Sequence, residues 1–121
     1  MIFKDDAAIR ACRLRRKCEW CGSQYPNGGF FDAAHVFGCG AGRVDIPANL
    51  VCLCRTHHTA SHDGNEPLTS QLLNIASVRE GVPVLDIQEA VWIIRRAPKE
   101  ANIDEVLKLT KVKRYTPCQN L

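Results

Sequence analysis

Apolar residues recur along this chain at helical spacing toward both ends and in short strand-like runs between them. From Asp6 to Lys17, Ala7, Ala8, Ile9, Ala11, Cys12 and Leu14 alternate with basic residues, which predicts a helix or helical arm with a basic outer side. Between Cys18 and His62 the pattern breaks into short pieces at Gly22, Pro26, Gly28, Gly29, Gly38, Gly40, Gly42 and Pro47. Phe30–Phe37 and Leu50–Cys54 read there as two strands, with a glycine-rich loop between them. From Arg55 a short helix carries His58 and His62, with Thr56 as its N-cap and Asp63-Gly64 as its stop. Beyond it, Leu68, Leu72, Leu73, Ile75 and Ala76 lie at near-helical spacing in Pro67–Arg79, and Gly81-Val82-Pro83 breaks that run. Asp86–Arg96 aligns Ile87, Ala90, Val91, Ile94 and the following Ala97 on one face, Pro98 stops it, and Asp104–Lys111 reads as a last helix. No internal repeat is present, and residues 112–121 read as a loose tail.

A chain of 121 residues that is 45 % apolar is of a size for one domain with a modest core that benefits from a covalent or metal staple. The expected organisation is a basic arm (1–17), a core (18–64), a helical extension (65–111) and the tail (112–121). No stretch approaches the roughly 20 apolar residues of a membrane span, and the first residues lack the apolar core of a secretory signal, so a cytoplasmic protein without membrane contact is expected. Seven cysteines are an odd number for a purely disulfide-bonded protein, which points to reduced thiols and metal. The net charge of +3 is unevenly spread: +4 over residues 1–17, −2 over 18–65 and +1 over 66–121. A basic arm leading into a metal-binding centre suits a polyanionic partner.

Cys18-Glu19-Trp20-Cys21 is a CxxC knuckle, and after thirty-two intervening residues Cys54-Arg55-Thr56-His57 repeats the same two-residue gap. Two such pairs can close a tetrahedral zinc site, because a two-residue turn lets both donors of a pair reach one ion. Cys18, Cys21, Cys54 and His57 are therefore assigned as structural zinc ligands. Cys39, between glycines, and Cys52, on the same strand as Cys54, are the rival donors; Cys52 reads as a small core residue, and Cys12 and Cys118 have no partner at metal spacing.

A second set of residues is not needed for that site. His58 and His62 are four apart, so both imidazoles lie on one helical face where they can share a divalent ion or a phosphate oxygen. His35, on an adjacent strand, could sit across from that ion as a neutral general base, since an imidazole can take a proton from water. Taken in order, Cys18-x-x-Cys21, Ala34-His35, Ala48-Asn49-Leu50 and Leu53-Cys54-x-x-His57-His58-x-x-x-His62 resemble the HNH endonuclease family in its zinc-knuckle form, over roughly residues 18–64.

The resemblance implies an α+β fold: a small zinc-stapled ββα-metal (HNH) core with flanking helices, similar to small phage or prophage nucleases. It implies that His35 activates the attacking water, that Asn49 fixes the loop and orients the base, and that His58 and His62 hold a catalytic Mg²⁺ or other divalent cation. Products would carry 5′-phosphate and 3′-hydroxyl ends. Many members have Asp or His just before the base, where this chain has Ala34; Asp32 or water would then complete the ion's shell, and Asp32 would need a strand bulge to face it.

The remaining features are read as follows. Gly38, Gly40 and Gly42 lack a following GK[ST] and read as loop flexibility beside the site. Arg10, Arg13, Arg15, Arg16 and Lys17 are candidate phosphate contacts or a solvated helix face, and Asn49 is either a functional asparagine or a turn residue. Trp20 and Trp92 read as packing residues rather than base-stacking platforms. The leading expectation is a metal-dependent endonuclease acting on DNA, with RNA or branched DNA as further substrates. The rivals are a non-catalytic zinc-ribbon-like nucleic-acid-binding module and, third, a protein-interaction domain that uses the Asp86–Arg96 helix. No residue pattern marks an oligomer face.

Overall fold

The structure, a computed structural model, describes residues 1–24, 31–62 and 66–117, with the side chains of 66–68 excepted. Phe30, the Asp63-Gly64 helix stop, Cys118 and the punctuation at Pro26, Gly28 and Gly29 lie outside the described residues. Among those described, the order is α1 (Asp6–Arg13), β1 (Asp32–His35), β2 (Leu50–Leu53), α2 (Arg55–His62), α3 (Glu66–Glu80), α4 (Val84–Arg96) and α5 (Ile103–Leu107), with short 3₁₀ turns at Cys39–Ala41 and Pro47–Asn49. None of these helices is long and apolar enough to cross a membrane.

The centre is an antiparallel hairpin followed by a helix. Asp32 pairs with Leu53, Ala33 with Cys52, Ala34 with Val51 and His35 with Leu50, in a continuous register without a bulge. All four residues of β2 are buried, as a strand covered on both sides must be. α2 packs on this hairpin, completing the ββα unit of a small α+β fold.

Several element boundaries differ from the sequence expectation, and those nearest the site do so for local reasons. α1 stops at Arg13 instead of Lys17 because Arg15 and Arg16 donate to the carbonyls of Cys12 and Arg13 and Arg16 takes a left-handed φ of 56°. That reversal brings Lys17 against Gln24 and delivers Cys18 into the interior. β1 ends at His35 because the next two amides, of Val36 and Phe37, donate to the carbonyl and side-chain oxygens of Asn49. β2 ends at Leu53, and α2 begins one residue before Thr56: the Cys54 carbonyl accepts from the His58 amide at 2.9 Å, so Cys54 occupies the capping position. α5 starts at Ile103 because the Asn102 side chain accepts from the amides of Asp104 and Glu105.

The helical extension closes over the hairpin. α3 buries Leu72, Leu73 and Ala76 and ends at Gly81, whose φ of 69° lets the Val82 amide reach the Ser77 carbonyl at 3.1 Å, a Schellman closure. α4 buries Ile87, Ala90, Val91 and Ile94. These side chains join Phe3, Cys12, Phe31, Ile46, Leu50 and Leu53 in one hydrophobic cluster.

Candidate functional site

Two donor pairs meet beneath the hairpin. The sulfurs of Cys18, Cys21 and Cys54 and a ring nitrogen of His57 all lie within 4.8 Å of one another. The Nδ1 of His57 is the nitrogen turned inward, 3.1 Å from Cys54 Sγ and 3.8 Å from Cys18 Sγ. Three sulfurs and one nitrogen gathered this closely are the donor set of a tetrahedral zinc site, whose metal–ligand lengths are about 2.3 and 2.1 Å. This cluster could hold a metal such as zinc. Among the described residues it is the only set of three or more such donors within reach of one ion. Cys52 is fully buried in the core, and Cys39 lies exposed in the 3₁₀ turn, so neither rival cysteine enters it. Burial pushes the Cys18 thiol up, whereas the Ser23 hydroxyl beside it pulls Cys21 down to about 6. Trp20 packs beside His57 with ring centroids 5.8 Å apart, in keeping with a packing role.

One turn along α2, His58 and His62 turn their Nε2 atoms toward each other at 2.9 Å. Two imidazole nitrogens on neighbouring corners of one ion's shell stand about 3 Å apart when each bond is about 2.1 Å, so this pair fits a shared divalent cation. Behind it, Asp32 Oδ2 accepts from the Nδ1 of His58 at 2.9 Å, fixing the tautomer that leaves Nε2 outward. Arg55 reaches the same carboxylate at 2.8 Å. Although burial pushes the Asp32 carboxyl up, His58 and Arg55 outweigh it and hold the group below its ordinary value. Asp32 thus stands behind the histidine, and the bulge expected to bring it to an ion's shell is not formed.

His35 sits at the end of β1 with its Nε2 at 2.7 Å from Asp45 Oδ1. Asp45 is fully buried. It accepts from the Asp5 amide at 2.8 Å and from the Arg43 guanidinium at 2.7 Å, and these donors together with His35 hold its carboxyl below the ordinary value despite the upward push of burial. The other ring nitrogen of His35, Nδ1, faces the open side, 3.5 Å from Cys39 Sγ. A buried acid on one nitrogen, with the second turned toward an exposed thiol, suits a general base whose partner fixes its tautomer.

Asn49, also fully buried, donates through Nδ2 to the Val44 carbonyl at 2.9 Å and accepts from the Phe37 amide at 2.8 Å. It ties both ends of the 36–44 loop and reaches the base only through that loop. Asp45 is the residue the sequence reading missed. Its signal was an acid set between Val44 and Ile46, two side chains that are both fully buried.

Residues 18–65 match the family model described as HNH endonuclease. The resemblance to the HNH endonuclease family holds over this segment, and it implies nuclease chemistry on a nucleic-acid substrate. No curated protein and no solved structure matches the chain.

Outside the HNH segment two expectations change. The basic arm is not one continuous face: Arg10 and Arg13 are exposed on α1, Arg16 and Lys17 lie in the turn after it, and Arg15 is bound to Glu19 at 2.5 Å. Glu19 also pairs with Arg79, which donates to the Pro47 and Leu50 carbonyls and so braces the turn that carries Asn49. Trp92 is not a packing residue. It lies about 100° around α4 from the buried Val91, is 57 % exposed, and carries the Arg96 guanidinium 4.4 Å above its ring.

Proposed function

We propose that the chain is a metal-dependent HNH endonuclease that hydrolyses DNA phosphodiester bonds. The observation that carries this reading is the His58–His62 pair, two Nε2 atoms 2.9 Å apart and backed by the Asp32 carboxylate. That arrangement is suited to gripping a divalent cation and has no purpose in the zinc knuckle, whose donors are complete without it. Mg²⁺ or another divalent cation held there would act as a Lewis acid on the scissile phosphate.

The protein's own residues supply the proton chemistry. His35 accepts the proton of the attacking water at Nδ1, the nitrogen on the side of the exposed Cys39, and Asp45 stabilises the imidazolium through Nε2. Asn49 keeps the loop, and with it the Asp45 end of this pair, in register with β1. Asp32 orients His58. Cys18, Cys21, Cys54 and His57 hold structural zinc that fixes the start of α2, and therefore the positions of His58 and His62.

One observation favours a non-catalytic nucleic-acid-binding module instead: Ala34, the residue before the base, is buried and offers no donor. Cleavage of supercoiled plasmid with Mg²⁺, Mn²⁺, Ni²⁺ or EDTA, beside a His35→Ala variant of verified zinc content, decides between them. The enzyme reading expects metal-dependent nicking that the variant loses by a factor of about 100 or more while keeping its zinc. If neither protein cuts plasmid, single-stranded or branched DNA and both bind it, the module reading replaces the enzyme.

A further inference from the structure

On the far side of the His35–Asp45 loop, the last turns of α4 form a surface that the zinc knuckle and the histidine pair do not use. Trp92 stands out from the helix, with Arg96 stacked on it. Between them and the loop lies a hollow of about 420 Å³, bounded by Phe37 and Ala41 on the loop side and by Gln88, Trp92, Arg95 and Arg96 on the helix side. A second hollow, of about 700 Å³, shares Ala41 and Arg95 with the first and continues past Gly42 to Lys99. No aspartate or glutamate lines either one among the described residues.

We infer that this face holds a DNA strand with unpaired bases as it enters the site, an inference that rests on the endonuclease reading and names its preferred substrate. Three observations select that occupant. The charge is of one sign: Arg96 and Lys99 are exposed cations on a lining without acids, which suits phosphates. The exposed indole is a flat apolar plate, and such plates bind bases by stacking, whatever the base. In a duplex those base faces are already covered by their neighbours, so the plate favours single-stranded, frayed or branched DNA. Finally, the face adjoins the candidate site through one loop. Phe37 and Ala41 belong to the loop that joins His35 to Asp45, so a strand lying on α4 rests against the loop that carries the base and its acid. Arg95 donates to the Gly38 and Gly42 carbonyls of that loop at 2.6 and 2.9 Å, which fixes plate and loop relative to each other.

The test is fluorescence anisotropy of short labelled oligonucleotides with the full chain, without added divalent cation and with the DNA checked for intactness. Single-stranded and overhang DNA are expected to bind more tightly than blunt duplex. Trp92→Ala should weaken the single-stranded complex about tenfold, and Trp92→Phe should restore most of the loss. Arg96→Ala should weaken binding to all DNA and lower the salt slope by about one. The inference is overturned if Trp92→Ala binds every DNA as the parent does. It also falls if the parent prefers duplex, or if the variant changes only the sedimenting mass, which would assign the face to a second copy of the chain. Because binding is read apart from cleavage, a chain that shows this binding pattern yet cuts nothing refutes the endonuclease reading alone.

Discussion

At the scale of single residues, the proposed chemistry depends most on Asp45, a charge removed from water and surrounded by three donors, from His35, Arg43 and Asp5. Replacing it with asparagine keeps the volume but offers an amide N–H to an arginine that can only donate. The loss of charged hydrogen bonds should cost on the order of 3 kcal/mol. Asparagine also removes the charge that steadies the His35 imidazolium, so cleavage by Asp45→Asn is expected to fall roughly 100-fold. The pH dependence has a definite sign. The folded carboxyl lies below its ordinary 3.8, so its contribution to stability is present above that value and is lost as pH falls through the folded value. Acid-unfolding curves should therefore separate parent from Asp45→Asn at neutral pH and converge in strong acid; parallel curves at every pH would refute the assignment. The clustering of Cys18, Cys21, Cys54 and His57 was legible in the sequence because the spacing within each pair is local and chemically restrictive. Asp45 was not, because its partner lies ten residues away across a loop whose path no periodicity describes.

Elements explain why that loop holds its shape. It carries Gly38, Gly40 and Gly42, which the sequence suggests as a flexible run. Added β-carbons at Gly38 and Gly40 would meet open space, and neither has a positive φ, so glycine is not required at either. Gly42 differs: its φ is 117°, and a β-carbon there would stand 3.4 Å from the Arg95 side chain. The guanidinium of Arg95, on α4, then spans the loop by donating to Phe37, Gly38 and Gly42 carbonyls. Helix and strand existence was readable from hydrophobic period, and so was the buried stripe of α4. This brace was not, since an arginine in the last turn of a helix looks like an ordinary complement to the helix dipole. Arg95→Ala should lose about 2 kcal/mol of stability. Gly42→Ala, strained in backbone and pressed against the same side chain, should lose about 1–3 kcal/mol. Limited proteolysis should show new cutting within residues 37–42 in both variants, and an unchanged digestion pattern in Arg95→Ala would mean that the loop keeps its shape without the helix.

For the whole molecule the question is whether arm, HNH segment and helical extension unfold together. The buried cluster takes in residues on both sides of the point where the HNH match ends, from Phe3 and the hairpin to Leu72, Ile94 and Val112. Burial shared in this way couples the parts, because opening the extension exposes Leu72, Ile87 and Ile94 together with the hairpin residues they cover. The Cys/His cluster brings residues 18–21 to the end of β2 and the start of α2, so a metal bound there would staple chain segments that are distant in sequence. Structural zinc in small domains binds with an apparent 10–16 kcal/mol, as large as the 5–15 kcal/mol by which whole domains are stable. Stripping the metal is therefore expected to abolish the fold of hairpin and helical extension together rather than to loosen the knuckle alone. Calorimetry of the metal-loaded chain should show one transition, and its loss on chelation should coincide with release of one zinc per chain. A chelated, zinc-free chain that keeps a cooperative transition from α3 and α4 would show that the extension folds on its own and that the chain divides near residue 65.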